Sequence, residues 1–211
     1  MNTIDKLIFI CIEYNTAPDY VTIRYLNPSL ILEIMLEQQK YRVLIQQYKN
    51  KIYTYSLYML KNRMDADDVT QEVMIRIWQN IGKFNLLAAK TWIMKTTNNL
   101  CIDYLRRRAV SIAREYEIDE EFEDKYSINS NSDNPYLITH INMVTSKVKE
   151  AIQKLPENLR SIFVLYEIEG LKYNEISKTL DIPLNSVKVY LLRARKKLQE
   201  ELKHYEPQEV I

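Results

Sequence analysis

The chain is poor in the residues that mark turn-rich, cross-linked or metal-binding folds. Its 211 residues include 2 glycines, 6 prolines, 2 cysteines and 2 histidines. So little glycine argues against a β architecture, because tight hairpins depend on it. Cys11 and Cys101 lie far apart, and His140 and His204 are isolated, so neither a disulfide scaffold nor a structural zinc site is expected. The composition predicts a mostly helical protein in a reduced, cytoplasmic setting, with no metal, no cofactor and no catalytic constellation.

Long apolar runs are also missing. The longest early run, LIFICI at 7–12, is much shorter than the roughly 20 residues of a membrane helix. It lacks the basic front and the small-residue cleavage site of a signal peptide, so neither a signal peptide nor membrane insertion is expected. Residues 1–40 show no single period. They are interpreted either as an amino-terminal extension of unknown role or as a mis-assigned start, with translation beginning at Met35.

A net charge of +1 conceals strong segregation of charge along the chain. Residues 41–108 carry 12 basic and 5 acidic side chains, whereas residues 109–145 carry 2 basic and 8 acidic ones. Residues 146–211 are mildly basic again, with 12 against 10. The acidic stretch has no sustained apolar period and contains Ser, Asn, Asp and Pro, which is typical of a flexible linker. Two basic segments around an acidic strip indicate contact with nucleic acid at two places.

The clearest pattern lies at 171–198, where two apolar stripes flank a break. The first stripe is Tyr173, Ile176 and Leu180, and the second is Val187, Leu191, Ala194 and Leu198. Asp181 tolerates the left-handed backbone of a chain reversal, and Pro183 prevents continuation of the first helix. Asn185 or Ser186 is then expected to cap the second helix. The pattern predicts a helix-turn-helix whose basic second helix enters a DNA major groove, with an ordinary solvated basic face as the alternative.

Two helices are predicted from apolar periodicity in the first basic segment. Over 41–62 the expected buried set is Val43, Leu44, Tyr48, Ile52, Tyr55 and Leu60. Over 65–82 it is Val69, Val73, Ile77 and Ile81, with Met74 and Trp78 at its edges. Asp65, Asp67 and Asp68 stand at the amino end of this second helix, where carboxylates favour the helix dipole. Its polar face is available to a partner, although such a face is more often simply solvated.

A third helix is predicted over 88–108, where basic and amide side chains alternate with apolar ones and end in a triple arginine. This mixture suits contact with phosphates and unstacked bases. Trp92 is interpreted as a core residue, because a large aromatic side chain is usually buried. Asp103 is interpreted as a structural partner of the nearby arginines.

These segments resemble regions two and four of bacterial RNA polymerase sigma factors. The resemblance is carried by DADDVTQEVMIRIW (65–78) and WIMKTTNNLCIDYLRRR (92–108), and then by the segment from LPENLR to RKKL (155–198). With no domain three between them, the arrangement is similar to the extracytoplasmic-function (ECF) group of the sigma-70 superfamily. The motifs are highly specific in combination and cover about three fifths of the chain.

The resemblance implies an all-α fold of two small helical domains. Region two is placed at 41–108 and region four at 146–204, joined by the acidic linker 109–145 and followed by a tail at 205–211. It also implies a factor that binds core polymerase, directs it to promoters and assists their melting. The implied partners are the clamp helices and flap of the polymerase large subunit, promoter DNA and an anti-sigma factor. The acidic linker would run through the basic channel of the polymerase as a nucleic-acid mimic.

Three sets of contact residues follow from the resemblance. Those expected to dock on core polymerase are Asp68, Gln71, Glu72 and Arg76. Those expected at the minus-ten element are Phe84, Lys95, Asn99 and Arg106, where Phe84 and Asn99 capture a flipped base. Those expected at the minus-thirty-five element are Lys188, Val189, Tyr190, Leu192, Arg193 and Lys197.

The chain departs from the family pattern at two places. NLLAAKT, between Phe84 and Trp92, lacks the polar and aromatic residues often found in the base-specificity loop, so the minus-ten preference cannot be read. Val189 and Tyr190 stand where small polar and basic residues are frequent, which favours contact with thymine methyl groups over guanine readout. Two other classes of function stay open from the residues alone. One is a helix-turn-helix regulator that is not a polymerase subunit, and the other is a helical interaction protein.

Overall fold

The structure is a computed structural model that describes residues 28–83, 86–114 and 135–203. Seven α-helices carry almost all of these residues. They are α1 (Pro28–Leu60), α2 (Arg63–Gln79), α3 (Leu86–Arg114), α4 (Pro135–Lys154), α5 (Glu157–Phe163), α6 (Tyr173–Leu180) and α7 (Leu184–Leu202). A 3-10 turn at Ile81–Lys83 follows α2, and a π-helical turn at Val164–Ile168 follows α5. No strand occurs within the described ranges, and the prediction of an all-α fold is confirmed.

Helices α1, α2 and α3 pack together as the amino-terminal module. Lys61 adopts a left-handed backbone, with φ of 59°, and Asn62 then caps α2 by accepting the backbone N–H of Asp65 at 3.0 Å. The predicted α2 stripe of Val69, Val73, Ile77 and Ile81 is buried.

One residue of the predicted α1 stripe is misplaced. Val43 is 52% exposed, and Tyr41 is buried instead, with its ring edge-on to Trp78 at 5.3 Å between centroids. The buried residues Tyr41, Leu44, Tyr48 and Ile52 follow one another at spacings of three and four along one face of α1. Val43 falls off that face and lies on the side turned to solvent. Trp92 is half-buried and packs against the core.

Helices α4 to α7 form the carboxy-terminal module, in which α7 packs against α4, α5 and α6. The chain reverses between the π-helical turn and α6 at Gly170, whose φ is +65°. A side chain is strained in that backbone conformation, which explains why one of only two glycines stands there. The N–H of Leu171 then bonds the carbonyl of Leu165 at 2.9 Å and closes the turn.

The two modules pack on each other and share one hydrophobic core. Helix α3 lies against α6, and α1 lies against α4 and α5. At the centre, the hydroxyl of Tyr55 donates to Oδ1 of Asn98 at 2.7 Å, and the hydroxyl of Ser161 lies 3.2 Å from that of Tyr55. Nη1 of buried Arg160 donates to the carbonyls of Met59 at 3.1 Å and Tyr58 at 3.4 Å. These bonds satisfy carbonyls at the carboxyl end of α1 that have no partner within the helix.

The helices extend into both segments predicted to lie outside the two regions. Helix α1 begins at Pro28, inside the expected 1–40 extension, and passes through Met35. Helix α3 ends at Arg114 and α4 begins at Pro135, so both enter the expected 109–145 linker, whose central residues 115–134 lie outside the described residues. Among the helices described, none has both the length and the hydropathy needed to cross a bilayer.

Candidate nucleic-acid and polymerase interfaces

The helix-turn-helix is held by bonds within its turn. Asp181 has φ of 58° and ψ of 44°, the left-handed conformation that the sequence predicts. The N–H of Ile182 bonds the carbonyl of Ser177 at 3.1 Å, and the Ser177 hydroxyl donates to the carbonyl of Ile182 at 2.6 Å. Glu175 accepts the N–H of Lys172 at 2.7 Å and so caps the start of α6. These contacts fix the angle between α6 and α7.

The start of α7 differs from the expectation. Helix α7 begins at Leu184 with Pro183 as the preceding residue, and neither Asn185 nor Ser186 caps it. Pro183 has φ of −58° and ψ of 143°, so its ring sets the extended entry to the helix directly. The carbonyl of Pro183 accepts the N–H of Val187 at 3.2 Å, so the helical ladder begins two or three residues earlier than a cap at 185 or 186 allows.

The outward face of α7 carries most of the residues expected at the minus-thirty-five element. The predicted inward stripe of Val187, Leu191, Ala194 and Leu198 is buried. The exposed members of the expected set are Lys188, Val189, Leu192, Arg193 and Lys197. Tyr190, the remaining member of the expected set, is half-buried against the core, with the Arg193 guanidinium 5.9 Å from its ring centroid.

Two further exposed residues lie on this face but are not among those expected at the minus-thirty-five element. Asn185 and Lys196 lie four residues before Val189 and four after Leu192, so the helical repeat puts all four side chains on one side of α7. That spacing was legible in the sequence. Arg195, by contrast, bonds Glu167 at 2.6 and 2.9 Å and lies 5.5 Å from the ring centroid of Tyr166. The hydrogen bonds that Arg195 donates to Glu167 raise the pKa of Arg195, and they hold its guanidinium against its own module.

The polar face of α2 contains the residues expected to bind polymerase. Asp68 and Gln71 are exposed. Glu72 and Arg76 are half-exposed and form an ion pair across one helical turn, with Oε1 and Nε 2.8 Å apart. These four residues lie off the buried stripe of α2 and present carboxylate, amide and guanidinium groups to solvent.

Helix α3 carries the described residues expected at the minus-ten element. Asn99 is exposed, whereas its neighbour Asn98 is buried and bonded to Tyr55. Arg106 lies 3.6 Å from Asp103, in agreement with the structural role predicted for that aspartate. Phe84 lies outside the described residues.

The α3 surface also faces the helix-turn-helix. Nζ of Lys95 is 3.8 Å from the carboxylate of Asp181, and Nζ of Lys90 donates to Glu175 at 3.1 Å. The surfaces expected to contact two separate promoter elements are therefore adjacent in this arrangement. No local pattern predicts that these surfaces lie together, because both ion pairs join residues more than 80 positions apart.

A buried carboxyl lies beside this junction. Glu169 is 6% exposed, and burial raises its pKa to about 7, against the opposing effect of the positive charges of Lys51 and Lys90. Both lysines belong to the amino-terminal module, so the environment of Glu169 depends on the packing of the two modules.

Family models match the chain in two segments. Residues 44–124 match Sigma-70 region 2, and residues 145–198 match Sigma-70, region 4. The chain is 30% identical over 159 residues to the ECF RNA polymerase sigma factor SigE of Mycolicibacterium smegmatis, a match that covers 75% of this chain and 60% of that protein. It is 30% identical over 170 residues to the ECF RNA polymerase sigma factor SigW of Bacillus subtilis, covering 79% of this chain and 91% of that protein.

A solved structure shares the fold. The sigma factor RpoE, in complex with the anti-sigma factor NepR from Bartonella quintana, superposes with a TM-score of 0.64 at 17% sequence identity. The match covers 77% of this chain and 96% of that one.

Proposed function

Because the chain belongs to the ECF sigma factors of the sigma-70 family, we propose that it binds core RNA polymerase, directs it to specific promoters and assists their melting. One observation carries this proposal. Regions two and four occur in order in one chain, and the structure exposes a basic helix-turn-helix face in the second region and a polar α2 face in the first.

The minus-thirty-five element is assigned to the outward face of α7. Lys188, Arg193 and Lys197 are exposed cations on one helix, and such side chains supply the phosphate and guanine contacts of major-groove readers. Val189 and Leu192 add apolar surface to the same face. Tyr190 is assigned to the edge of the same face, where its half-buried ring lies beside the Arg193 guanidinium.

The minus-ten element is assigned to α3. Asn99 offers an exposed amide that can bond the edge of an unpaired base, and Lys95 and Arg106 offer charge to the backbone beside it. Phe84, two residues before the start of α3, is assigned to the same base on the strength of the resemblance alone.

Core polymerase is assigned to the polar face of α2. The exposed carboxylate and amide of Asp68 and Gln71, beside the Glu72–Arg76 pair, suit a basic partner such as the clamp helices of the large subunit. Region four is assigned to the flap of the same subunit. The proposed regions are 41–108 and 146–204, with residues 109–145 between them in the channel of the polymerase.

The remaining partner and the setting follow from the family. The RpoE structure contains an anti-sigma factor, and we assign a partner of that class to this chain as well. The chain acts as a polymerase subunit and has no enzymatic activity of its own. Its place of action is the cytoplasm, where the polymerase and the chromosome are found.

Run-off transcription tests the proposal. Purified core enzyme with the full chain is expected to start at discrete sites on fragmented genomic DNA, and core enzyme alone is not. A helix-turn-helix regulator outside the polymerase would bind DNA without co-purifying with core enzyme and would give no added start sites. That pair of results would refute the proposal.

A further inference from the structure

Two large apolar side chains stand exposed on the outward face of α7. Val189 is 45% exposed and Leu192 is 68% exposed. The other apolar residues in the body of the helix are nearly inaccessible, with Val187, Leu191, Ala194 and Leu198 at 0 to 6%. These four residues already fill the buried face of α7. Neither Val189 nor Leu192 belongs to that face.

The surroundings of this pair indicate what covers it. Lys188, Arg193 and Lys196 are exposed beside it, and the helical repeat places the apolar pair between these cations. An apolar protein surface would leave three desolvated charges around the contact, which is costly. A phosphate-lined groove neutralises them instead. Charge complementarity therefore indicates that the major groove of DNA covers Val189 and Leu192.

We infer that Val189 and Leu192 read the 5-methyl groups of thymines in the minus-thirty-five element, an inference that rests on the proposed function. The thymine methyl is the one apolar group that base edges present in the major groove. Neither side chain has a hydrogen-bond donor, so neither can read the acceptors of guanine. Tyr190 is less exposed than either of them, because its ring is half-buried against the core.

The spacing of the pair limits where the thymines lie. Side chains three residues apart on a helix have Cβ atoms about 5–6 Å apart. Successive base pairs rise by about 3.4 Å. Val189 and Leu192 therefore reach methyl groups on neighbouring or next-but-one base pairs, on either strand. The minus-thirty-five element contains two thymines within about three base pairs of each other.

Removal of single methyl groups from the DNA tests this inference. Holoenzyme made from core polymerase and the full chain selects duplexes from a random library, and the enriched sequence is checked by run-off transcription. Each thymine of the enriched element is then replaced by deoxyuridine, which lacks only the methyl. Binding measured by fluorescence anisotropy is expected to weaken about fourfold at two positions, the amount that corresponds to one methyl-sized group buried at each.

The side chains are matched to the methyl groups by variants. Leu192→Ala is expected to abolish the uridine effect at one position and Val189→Ala at the other. Leu32→Ala, which truncates a leucine 59% exposed on α1, is expected to keep both effects. An element without thymines at this spacing would overturn the inference, as would uridine effects that persist in both α7 variants. If no duplex is enriched and no run-off product forms, the sigma-factor role itself fails, which is a different result from transcription without methyl dependence.

Discussion

The hydroxyl of Tyr55 on α1 donates a 2.7 Å hydrogen bond to Oδ1 of Asn98 on α3, and Ser161 of the other module completes the cluster. All three side chains are buried. Burial raises the pKa of the Tyr55 hydroxyl, so the group stays protonated and serves as a donor at any physiological pH.

Tyr55→Phe is expected to destabilise the chain by about 1–3 kcal/mol. It removes the 2.7 Å donor to the buried amide oxygen of Asn98 and leaves that oxygen only the longer 3.5 Å bond from the Ser161 hydroxyl. Urea unfolding followed by circular dichroism measures this difference, and the denaturant slope should not change. Tyr104→Phe is the control, since that ring keeps its contact with Arg107 at 4.9 Å. If both variants lost a similar amount of unfolding free energy, the Tyr55 hydroxyl would contribute no more to stability than that of Tyr104.

Asn99→Ala is expected to reduce promoter opening while leaving the fold intact, because the exposed amide is available only to the extruded base. The loss of one such bond costs on the order of 1–3 kcal/mol. Permanganate footprinting on a cognate promoter reports the unpaired thymines. Asn98→Ala makes the same chemical change one residue earlier but is expected to lower the free energy of unfolding instead. Equal thymine reactivity in Asn99→Ala and the wild type would contradict the minus-ten assignment.

Gln71→Lys combined with Glu72→Lys is expected to weaken binding to core polymerase, because it places positive charge where a basic partner docks. A quantitative pull-down of core enzyme measures the effect. Gln46→Lys with Glu150→Lys adds the same charge at exposed positions elsewhere and should bind as the wild type does. Unchanged recovery of core enzyme by a well-folded α2 variant would exclude this face.

A chain locked in the packed arrangement is expected to lose promoter-directed transcription. Elements centred about 25 base pairs apart lie roughly 85 Å apart on straight DNA at about 3.4 Å per pair. Lys95 and Asp181 are 3.8 Å apart, and α7 itself is only about 28 Å long. Both elements therefore cannot be contacted until the modules separate.

The lock is a short bis-maleimide between Lys90→Cys and Glu175→Cys in a Cys11→Ser background. These positions replace side chains that form a 3.1 Å ion pair between the modules. The uncoupled double variant and each single variant treated with the reagent serve as controls and should transcribe. Run-off product from the cross-linked protein at the level of the controls would show that separation is unnecessary.

Stability is expected to fall as pH rises from 4.5 to 7, because of Glu169. The folded pKa of about 7 exceeds the ordinary value of 4.5, so the folded chain binds the extra proton in this window. The contribution is complete below the lower value and is lost above the higher one. Relative to Glu169→Gln, which does not titrate, the wild type should lose up to about 3 kcal/mol between pH 5 and 8. Parallel urea midpoints for the two proteins across that range would argue against the shift.

The sequence predicted what depends on local periodicity. The buried stripe of α7 and the left-handed Asp181 both follow from spacing and turn chemistry, and both are confirmed. The errors lie where tertiary structure decides. Tyr41 rather than Val43 continues the buried period of α1, because its ring packs against Trp78. Pro183 precedes α7 without any side-chain cap.

In the candidate site, too, local periodicity predicts some features, and tertiary contacts decide the others. Periodicity separates the outward α7 residues from the inward ones, but it cannot show that Tyr190 at the edge folds back onto the core. Asn98 and Asn99 are chemically identical neighbours, and the Ile93, Met94 and Cys101 pattern already points Asn98 inward. The bond that Asn98 makes joins it to a residue 43 positions away, which no local pattern encodes.

The buried guanidinium of Arg160 bonds carbonyls at the carboxyl end of α1 and so couples the unfolding of the two modules. The division of the chain into two family segments does not suggest this coupling. Because the core is continuous, unfolding of the carboxy-terminal module would expose Tyr55 and Met59 of the amino-terminal module. Unfolding of the amino-terminal module would likewise expose Arg160. Heat should therefore unfold the free protein in a single cooperative transition whose calorimetric and van't Hoff enthalpies agree. Each module therefore supplies part of the core of the other. A fragment cut between them is expected to be less stable than the same module in the full chain.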